Sequence, residues 1–252
     1  MKFRSMLCVG VLAASAAMAA DVEGLTSATL GWLKVESSAK CTIIAVPWLN
    51  VGGGEVEVAK LVKTDTLSTD DKLYYYDGTQ YFGWQISNGQ WVGLSTTKAD
   101  ETGKSITLNA PTDAYALARG KALFIERSDT TKDIYLYGQH ETANVSVQVL
   151  DGTAEAPAYT LIANPRMAEV NLNSVTMSGT PNEGDRIVVP GADGANAKEY
   201  KYDNGSWGYL KEGATSIFPG VAAPRTWSTE AILPVGRGVW YLSKGGSPTF
   251  TF

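Results

Sequence analysis

Histidine is almost absent from this chain of 252 residues, and its scarcity excludes several classes of enzyme. The single histidine, His140, lies in a predicted loop, where an imidazole is usually solvated. Hydrolysis through an activated serine or cysteine commonly uses a histidine base, and a zinc site needs several histidine or cysteine ligands. The sequence therefore predicts no catalytic residue, no metal site and no cofactor.

Cysteine is nearly as scarce, with two residues in the chain. Cys8 lies in a predicted signal peptide, so the mature chain keeps Cys41 alone and cannot form an intrachain disulfide. Cys41 begins an apolar segment, at the position that Tyr159 holds in a second copy of the same pattern. We interpret Cys41 as a buried cysteine that acts as a small hydrophobic residue.

Long hydrophobic runs are missing apart from one at the N-terminus. There, Lys2 and Arg4 precede an apolar stretch that ends in Ala17-Met18-Ala19, the small-x-small pattern of a cleavage site. The stretch is too short to span a membrane as a helix, so we interpret residues 1–20 as a signal peptide. The sequence predicts a secreted protein of the periplasm, outer surface or extracellular space, without a transmembrane helix.

Positive charge is in deficit, with 21 Lys and Arg against 26 Asp and Glu and a formal charge of −5. Removing the signal peptide takes two of the basic residues and makes that charge −7. Phosphate backbones repel such a surface, so nucleic acid is not an expected partner. The remaining length suits two domains of roughly 100 residues each.

The sequence does contain a repeated pattern. Four segments of the first half recur in the same order in the second half, at offsets of 118, 114, 116 and 118 residues. This order predicts a tandem duplication and two similar modules. The matched segments are 42–47 with 160–165, 71–75 with 185–189, 88–94 with 204–210, and Arg119-Gly120 with Arg237-Gly238.

Apolar and polar residues alternate throughout both halves, and dipeptides such as Asn88-Gly89 and Asn204-Gly205 separate the runs. We predict an all-β fold of two tandem β-sandwich or barrel-like modules from an internal duplication. The best helix candidate, 112–119, is rejected because its counterpart contains Pro234 and Gly236. The predicted organisation is a signal peptide at 1–20, a first module with an N-terminal strand at 21–150, a linker at 151–158 and a second module at 159–252. Residues 144–150 are the one candidate for a strand that plays the part of the N-terminal strand in the second module.

Gly184-Asp185, the hairpin motif Asn204-Gly205-Ser206-Trp207 and the Pro-x-Gly-x-Gly-x-Trp-Tyr segment at 234–241 follow one another in the second half. Their order resembles a family of uncharacterised secreted bacterial β-rich proteins. The first half departs from that pattern, with Asp70-Asp71 in place of Gly-Asp and 116–120 in place of Pro-x-Gly-x-Gly. The resemblance covers most of the mature chain, and it implies a structural pattern without an activity or site residues.

Carboxylates offer two further interpretations. A glycoside hydrolase would use a pair that need not be adjacent in sequence. A calcium site would join Asp70-Asp71 and Asp193, although the chain contains no Asp-x-Asp-x-Asp-Gly loop. Asp71 and Asp185 hold matched positions at the start of strands, so we expect each to cap a turn by accepting backbone N–H groups.

Aromatic residues crowd both halves, and successive residues of a strand face opposite sides. Some rings are therefore expected at the surface, where Tyr and Trp stack on sugars or anchor an interface. The alternative for any single ring is ordinary packing in the core. The candidate ligand-stacking residues are Tyr75, Trp84, Trp91, Trp207 and Trp240.

The leading prediction is a secreted, non-enzymatic structural or interaction protein of the cell envelope or extracellular space. It would act through self-association or surface binding, with a second copy of itself or surface glycans as partners. In one version, the alternating C-terminus at 248–252 adds a strand to a neighbour's sheet edge. The alternatives are a carbohydrate-binding protein, a glycoside-processing enzyme and an outer-membrane barrel. Gly245-Gly246-Ser247-Pro248 argues against the barrel because it interrupts the last strand.

Overall fold

A computed structural model of the chain describes residues 30–36, 38, 40–50, 53–99, 105–112, 114–191, 197–212 and 225–252. The predicted signal peptide and Asp193 lie outside the described residues. The described chain is nearly all β-structure, which confirms the all-β prediction. The only α-helix in these ranges, α1, is a single turn over Val58–Leu61.

The first half of the chain forms eleven strands and α1. The strands are β1 Leu30–Val35, β2 Cys41–Ala45, β3 Val56–Glu57, β4 Lys72–Tyr76, β5 Tyr81–Ser87, β6 Gln90–Gly93, β7 Thr96–Ala99, β8 Ser105–Asn109, β9 Ala116–Leu117, β10 Ala122–Glu126 and β11 Ile134–Gln139.

The second half forms another eleven strands and a 3₁₀ turn at Leu172–Ser174. The strands are β12 Ser146–Gln148, β13 Ala158–Ala163, β14 Val170–Asn171, β15 Thr176–Ser178, β16 Arg186–Val189, β17 Lys198–Asp203, β18 Ser206–Glu212, β19 Arg225–Ser228, β20 Ile232–Leu233, β21 Gly238–Ser243 and β22 Thr249–Thr251.

One large sheet dominates each half, and the two sheets share an order of pairing. The order is β2-β10-β4-β5 with β6 on β5 in the first half, and β13-β21-β16-β17-β18 in the second. The matched Asn-Gly dipeptides close the β5–β6 and β17–β18 hairpins, as predicted. Asn88 and Asn204 both have a φ of 50°, and the glycine after each is also at positive φ. Asparagine and glycine tolerate this conformation, which a type I′ turn requires at both central positions.

A second layer covers one face of each large sheet, so each half is a two-layer sandwich. In the first half this layer consists of the β1–β11 pair, the β3–β9 pair and α1. Its Leu136 and Val56 share one buried cluster with Leu123 and Trp84 of the large sheet. In the second half the layer consists of β12-β22-β15 and the β14–β20 pair.

The boundary between the halves lies earlier than the sequence predicts. Val147 of β12 pairs with Phe250 of β22, and Val145 exchanges two backbone hydrogen bonds with Phe252. Val147 and Val149 are buried in the second core. The predicted first module, 21–150, therefore extends too far. β12 belongs to the second half, where it pairs with the last strand, β22, just as β1 pairs with the last strand of the first half, β11.

The C-terminal strand is internal. β22 lies between β12 and β15 and pairs with both over three residues. Phe250 and Phe252 are buried. The prediction that residues 248–252 add a strand to a neighbouring molecule is wrong, because both edges of this strand are occupied within the chain.

The two large sheets pack against each other through small residues. At Gly238 an added Cβ would lie 2.4 Å from the Cβ of Ala122, so only glycine permits this approach of the two backbones. The buried cluster at this interface comprises Ile43, Ala45, Ala122, Leu161 and Ala163.

Two equivalent backbone hydrogen bonds cross the same interface. The Ala45 N–H donates to the Gly236 carbonyl at 2.9 Å, and the Ala163 N–H donates to the Gly120 carbonyl at 2.8 Å. Gly120 and Gly236 have positive φ angles of 84° and 71° in the turns before β10 and β21. Their offset is 116 residues, so the predicted match of Arg119-Gly120 with Arg237-Gly238 is wrong by two residues.

Candidate functional site

Four of the five candidate stacking aromatics are buried in the two cores. They lie on the faces of the large sheets that the second layers cover. Trp91 also donates its indole N–H to the Val62 carbonyl at 2.7 Å, which fixes the ring inside. A surface ligand cannot reach these rings, so the prediction is wrong for Tyr75, Trp84, Trp91 and Trp207.

The fifth candidate, Trp240, lines an open groove of about 460 Å³ where the two halves meet. We call it the aromatic groove. Strands β4 and β5 form its wall in the first half, and strands β13, β16 and β21 form its wall in the second. Its lining side chains, all uncharged, are Tyr76, Tyr81, Tyr159, Val188, Trp240 and Leu242.

Two aromatic pairs, one from each half, face the groove. The ring centres of Tyr76 and Tyr81 are 4.7 Å apart, with 31° between the planes. Those of Tyr159 and Trp240 are 6.1 Å apart, with 89° between the planes. The Phe124 ring centre lies 5.4 Å from that of Trp240, and both rings pack against the interface cluster, which holds the Trp240 ring in place.

The phenol hydroxyls give the groove hydrogen-bonding capacity without charge. The Tyr76 hydroxyl donates to the Gly78 carbonyl at 2.7 Å, which orients its oxygen as an acceptor. Burial, and then the neighbouring Tyr76, raises the pKa of Tyr81, so its hydroxyl stays protonated at neutral pH. Flat rings with neutral polar edges suit a ligand that itself has an apolar face and a polar rim.

Sequence reasoning missed most of this groove. Tyr76 and Tyr81 were not selected from the many aromatic residues as candidates. Tyr159 was considered only as the match for Cys41. Tyr159 is 48% exposed. Strand periodicity places Tyr159 and Leu161 on the same face of β13. The interface between the two large sheets covers Leu161 but does not extend to Tyr159, and the sequence does not show where it ends.

A second candidate surface is the antiparallel pair of β1 and β11, which we call the ribbon. On its outer face Leu30 is 61% exposed and Trp32 is 60% exposed. Trp32 lies opposite Tyr137 and packs edge-on against Tyr135 at 5.6 Å. In the described part of the chain β1 pairs with β11 alone, which leaves its other edge open.

The equivalent strand pair of the second half has a polar outer face. β12 exposes Ser146 and Gln148, and the facing residues of β22 are Thr251 and Thr249. The same arrangement of backbone therefore folds without large exposed hydrophobic residues. The apolar face of the ribbon is a property of the first half and is not required by the fold.

The matched carboxylates, Asp71 and Asp185, are fully buried and cap turns as expected. Each accepts two backbone N–H groups, one from its own turn and one from a distant segment. Asp185 also accepts the Tyr241 hydroxyl at 2.7 Å. The backbone donors are Ser68 and Ser128 for Asp71, and Asn182 and Lys244 for Asp185.

His140 packs edge-on against Trp48, with ring centres 5.8 Å apart. Within the described ranges, His, Cys, Asp and Glu side chains do not form a group of three that could hold a metal ion.

Cys41 is exposed, so its interpretation as a buried hydrophobic residue is wrong. It begins β2, opposite Glu126 of β10, and the Tyr74 hydroxyl donates to that same carboxylate. Desolvation by its neighbours, and then the charge of Glu126, raises the pKa of the Cys41 thiol.

We expect Cys41 to react slowly with iodoacetamide at neutral pH, because a raised pKa leaves little of the reactive thiolate. Mass spectrometry of residues 21–252 at a series of pH values measures the rate. Its midpoint should lie above that of free cysteine in the same buffers. Glu126→Gln removes the smaller cause and should move the midpoint part of the way down. A midpoint at or below that of free cysteine would contradict this account.

Among the described residues, no helix has the length and apolar character needed to cross a membrane. No family model, curated protein or solved structure matches the chain. The resemblance to secreted bacterial β-rich proteins stays a prediction, and the groove and the ribbon are the two surfaces that bear on function.

Proposed function

We propose that this protein is a secreted, non-enzymatic component of the cell envelope or extracellular space that acts through self-association. The observation that carries the proposal is the ribbon, where Leu30 and Trp32 are exposed beside an edge of β1 that no described strand pairs with. An unpaired strand edge with apolar side chains is a template for pairing with another chain. The signal-like N-terminus supports secretion.

Within the residues that the structure describes, the edge of β1 lacks the usual protection against such pairing. Monomeric proteins commonly blunt an edge strand with charge, proline or a bulge. β1 reads Leu-Gly-Trp-Leu-Lys-Val, and its one charged residue, Lys34, pairs with Asp133 at 2.9 Å. The corresponding strand of the second half, β12, has a polar outer face, so we expect self-association through the ribbon and not through β12.

Antiparallel pairing of β1 with the β1 of a second copy joins two ribbons into one four-stranded sheet. Such a contact uses the same surface on both molecules, so it closes as a twofold dimer. It brings Leu30 and Trp32 of the two copies side by side on one face, and the apolar area that they cover in each other favours association.

A non-enzymatic role is supported by how the polar residues are used. Asp71 and Asp185, the matched carboxylates, are buried and bound to backbone N–H groups. A general base needs a site where a substrate can reach it. His140 lies against Trp48 and has no nucleophile among its described contacts.

The test is the mass of residues 21–252 in solution, measured by size-exclusion chromatography with light scattering in reductant. We expect a dimer, and we expect the double variant Leu30→Ser with Trp32→Ser to be a monomer. Met167→Ser is the matched control, because Met167 is also an exposed apolar residue but belongs to neither β1 nor β11. It should leave the dimer intact.

A monomeric wild-type chain at its highest soluble concentration would overturn the proposal. So would a dimer that survives the double substitution. A dimer that exists only without reductant would assign the contact to a disulfide between two Cys41 residues.

A further inference from the structure

We infer that the aromatic groove is a binding site for a neutral carbohydrate and holds one sugar ring of a glycan chain. No ribbon residue lines the groove. The inference therefore goes beyond the proposed self-association and does not depend on it.

The place and size of the groove suit a small ligand. Binding sites lie preferentially where domains meet, and they commonly enclose about 300 to 1,000 Å³. The aromatic groove lies between the two halves and encloses about 460 Å³. Because it is open to solvent, a ring within a longer chain can enter it without threading.

The rings form a corner that matches the shape of a pyranose. Tyr159 and Trp240 stand at 89° to each other, so one ring offers a floor and the other a wall. A sugar presents C–H groups on its faces and hydroxyls around its edge. Its C–H face packs on an aromatic face, whose π electrons carry partial negative charge. The Tyr76 and Tyr81 pair forms the opposite side.

The chemistry of the lining argues for a neutral ligand with polar edges. No described residue of the lining is charged, so an acidic or basic group placed here would lose hydration without gaining a partner among them. The Tyr81 and Tyr159 hydroxyls can donate to and accept from sugar hydroxyls, and the Tyr76 hydroxyl, which donates to Gly78, can accept from one. A purely hydrocarbon ligand would make no use of these groups.

The groove is not a by-product of the repeated fold. The strand pairings that place Tyr159, Val188 and Leu242 in the second half have equivalents in the first half. At those equivalent positions the residues are Cys41, Tyr74 and Glu126. On the far side of the interface the thiol of Cys41 therefore takes the place of the Tyr159 phenol, and the carboxylate of Glu126 takes the place of the Leu242 side chain.

The experiment measures binding of cellohexaose, maltohexaose and chitohexaose to residues 21–252 by isothermal titration calorimetry. Polygalacturonate serves as the charged probe and decanoate as the apolar one. We expect saturable binding of at least one neutral hexasaccharide and none of the other two probes.

Tyr159→Ala is the first variant, because Tyr159 is half exposed and its loss should leave the fold intact. It should weaken hexasaccharide binding by roughly tenfold or more. Trp240→Ala should weaken it at least as much. Tyr74→Ala, at the equivalent site across the interface, and Trp32→Ser, on the ribbon, should leave the affinity unchanged. Thermal unfolding of each variant checks that the fold persists.

Three results would overturn the inference. The first is the failure of all three hexasaccharides to bind the wild-type chain. The second is binding that Tyr159→Ala leaves unchanged. The third is decanoate binding that is lost in Tyr159→Ala while no sugar binds, which would assign the groove to an apolar ligand. None of these results bears on the oligomeric state, so the proposed self-association stands or falls separately.

Discussion

Replacing Phe250 with alanine is expected to lower the free energy of unfolding by about 4 kcal/mol. Phe250 is fully buried in the central strand β22, with its ring centre 5.7 Å from that of Tyr241 and 6.3 Å from that of Phe252. Truncation forfeits the burial of the ring and leaves a cavity that neighbouring strands cannot close. Urea unfolding followed by tryptophan fluorescence measures the loss, and Trp207 at 6.4 Å is a local reporter.

Thr249→Ala is the control on the same strand, because Thr249 is only partly buried. Its cost should stay within about 0.5 kcal/mol. A cost for Phe250→Ala as small as this would contradict the central position of β22. Deleting residues 247–252 separates the two accounts of the C-terminus. An internal strand predicts unfolding of the second half, whereas a donated strand would leave the monomer folded.

Asp185→Asn is expected to cost about 3 kcal/mol of unfolding free energy. One carboxylate oxygen accepts the Lys244 N–H at 2.7 Å. The other accepts the Asn182 N–H at 2.9 Å and the Tyr241 hydroxyl at 2.7 Å. Asparagine keeps the shape, but its NH₂ group must face a donor whichever way it is turned. The change therefore removes charge-assisted bonds and leaves a buried donor without an acceptor.

Asp151→Asn is the matched control, because it makes the same change of charge at an exposed position. We expect no measurable loss from it. Tyr241→Phe removes one of the three bonds and should cost about 1 kcal/mol. Equal unfolding midpoints for Asp185→Asn and Asp151→Asn in urea would rule out the buried carboxylate as a support of this turn.

The elements that local rules determine were predictable from the sequence. Asn-Gly hairpins require positive φ, and both predicted turns form with nearly identical angles at Asn88 and Asn204. The matched aspartates sit at turns that need an acceptor, and both cap them. Each of these inferences depends on a few adjacent residues.

The exposure of aromatic residues was not predictable, because it depends on which segment covers each face of a sheet. Strand periodicity separates Tyr75 from Tyr74 and Tyr76 but does not say which face meets the second layer. Trp84 and Trp207 lie under layers built from distant segments, including β11 and β22. The prediction of the boundary near β12 was wrong for the same reason. The half to which this short strand belongs depends on its pairing with β22, at the far end of the chain.

The paired hydrogen bonds from Ala45 to Gly236 and from Ala163 to Gly120 have a consequence for how the halves stay together. Each half carries both parts of the contact, a donor at the end of a strand and an acceptor in a turn. The interface is thus self-complementary, the arrangement that two separate copies of one module would use to form a twofold dimer. Joining the two halves through residues 140–145, between β11 and β12, makes their encounter intramolecular, so the contact withstands dilution that would separate two free modules. A groove built from both halves then keeps its shape at any concentration of the protein.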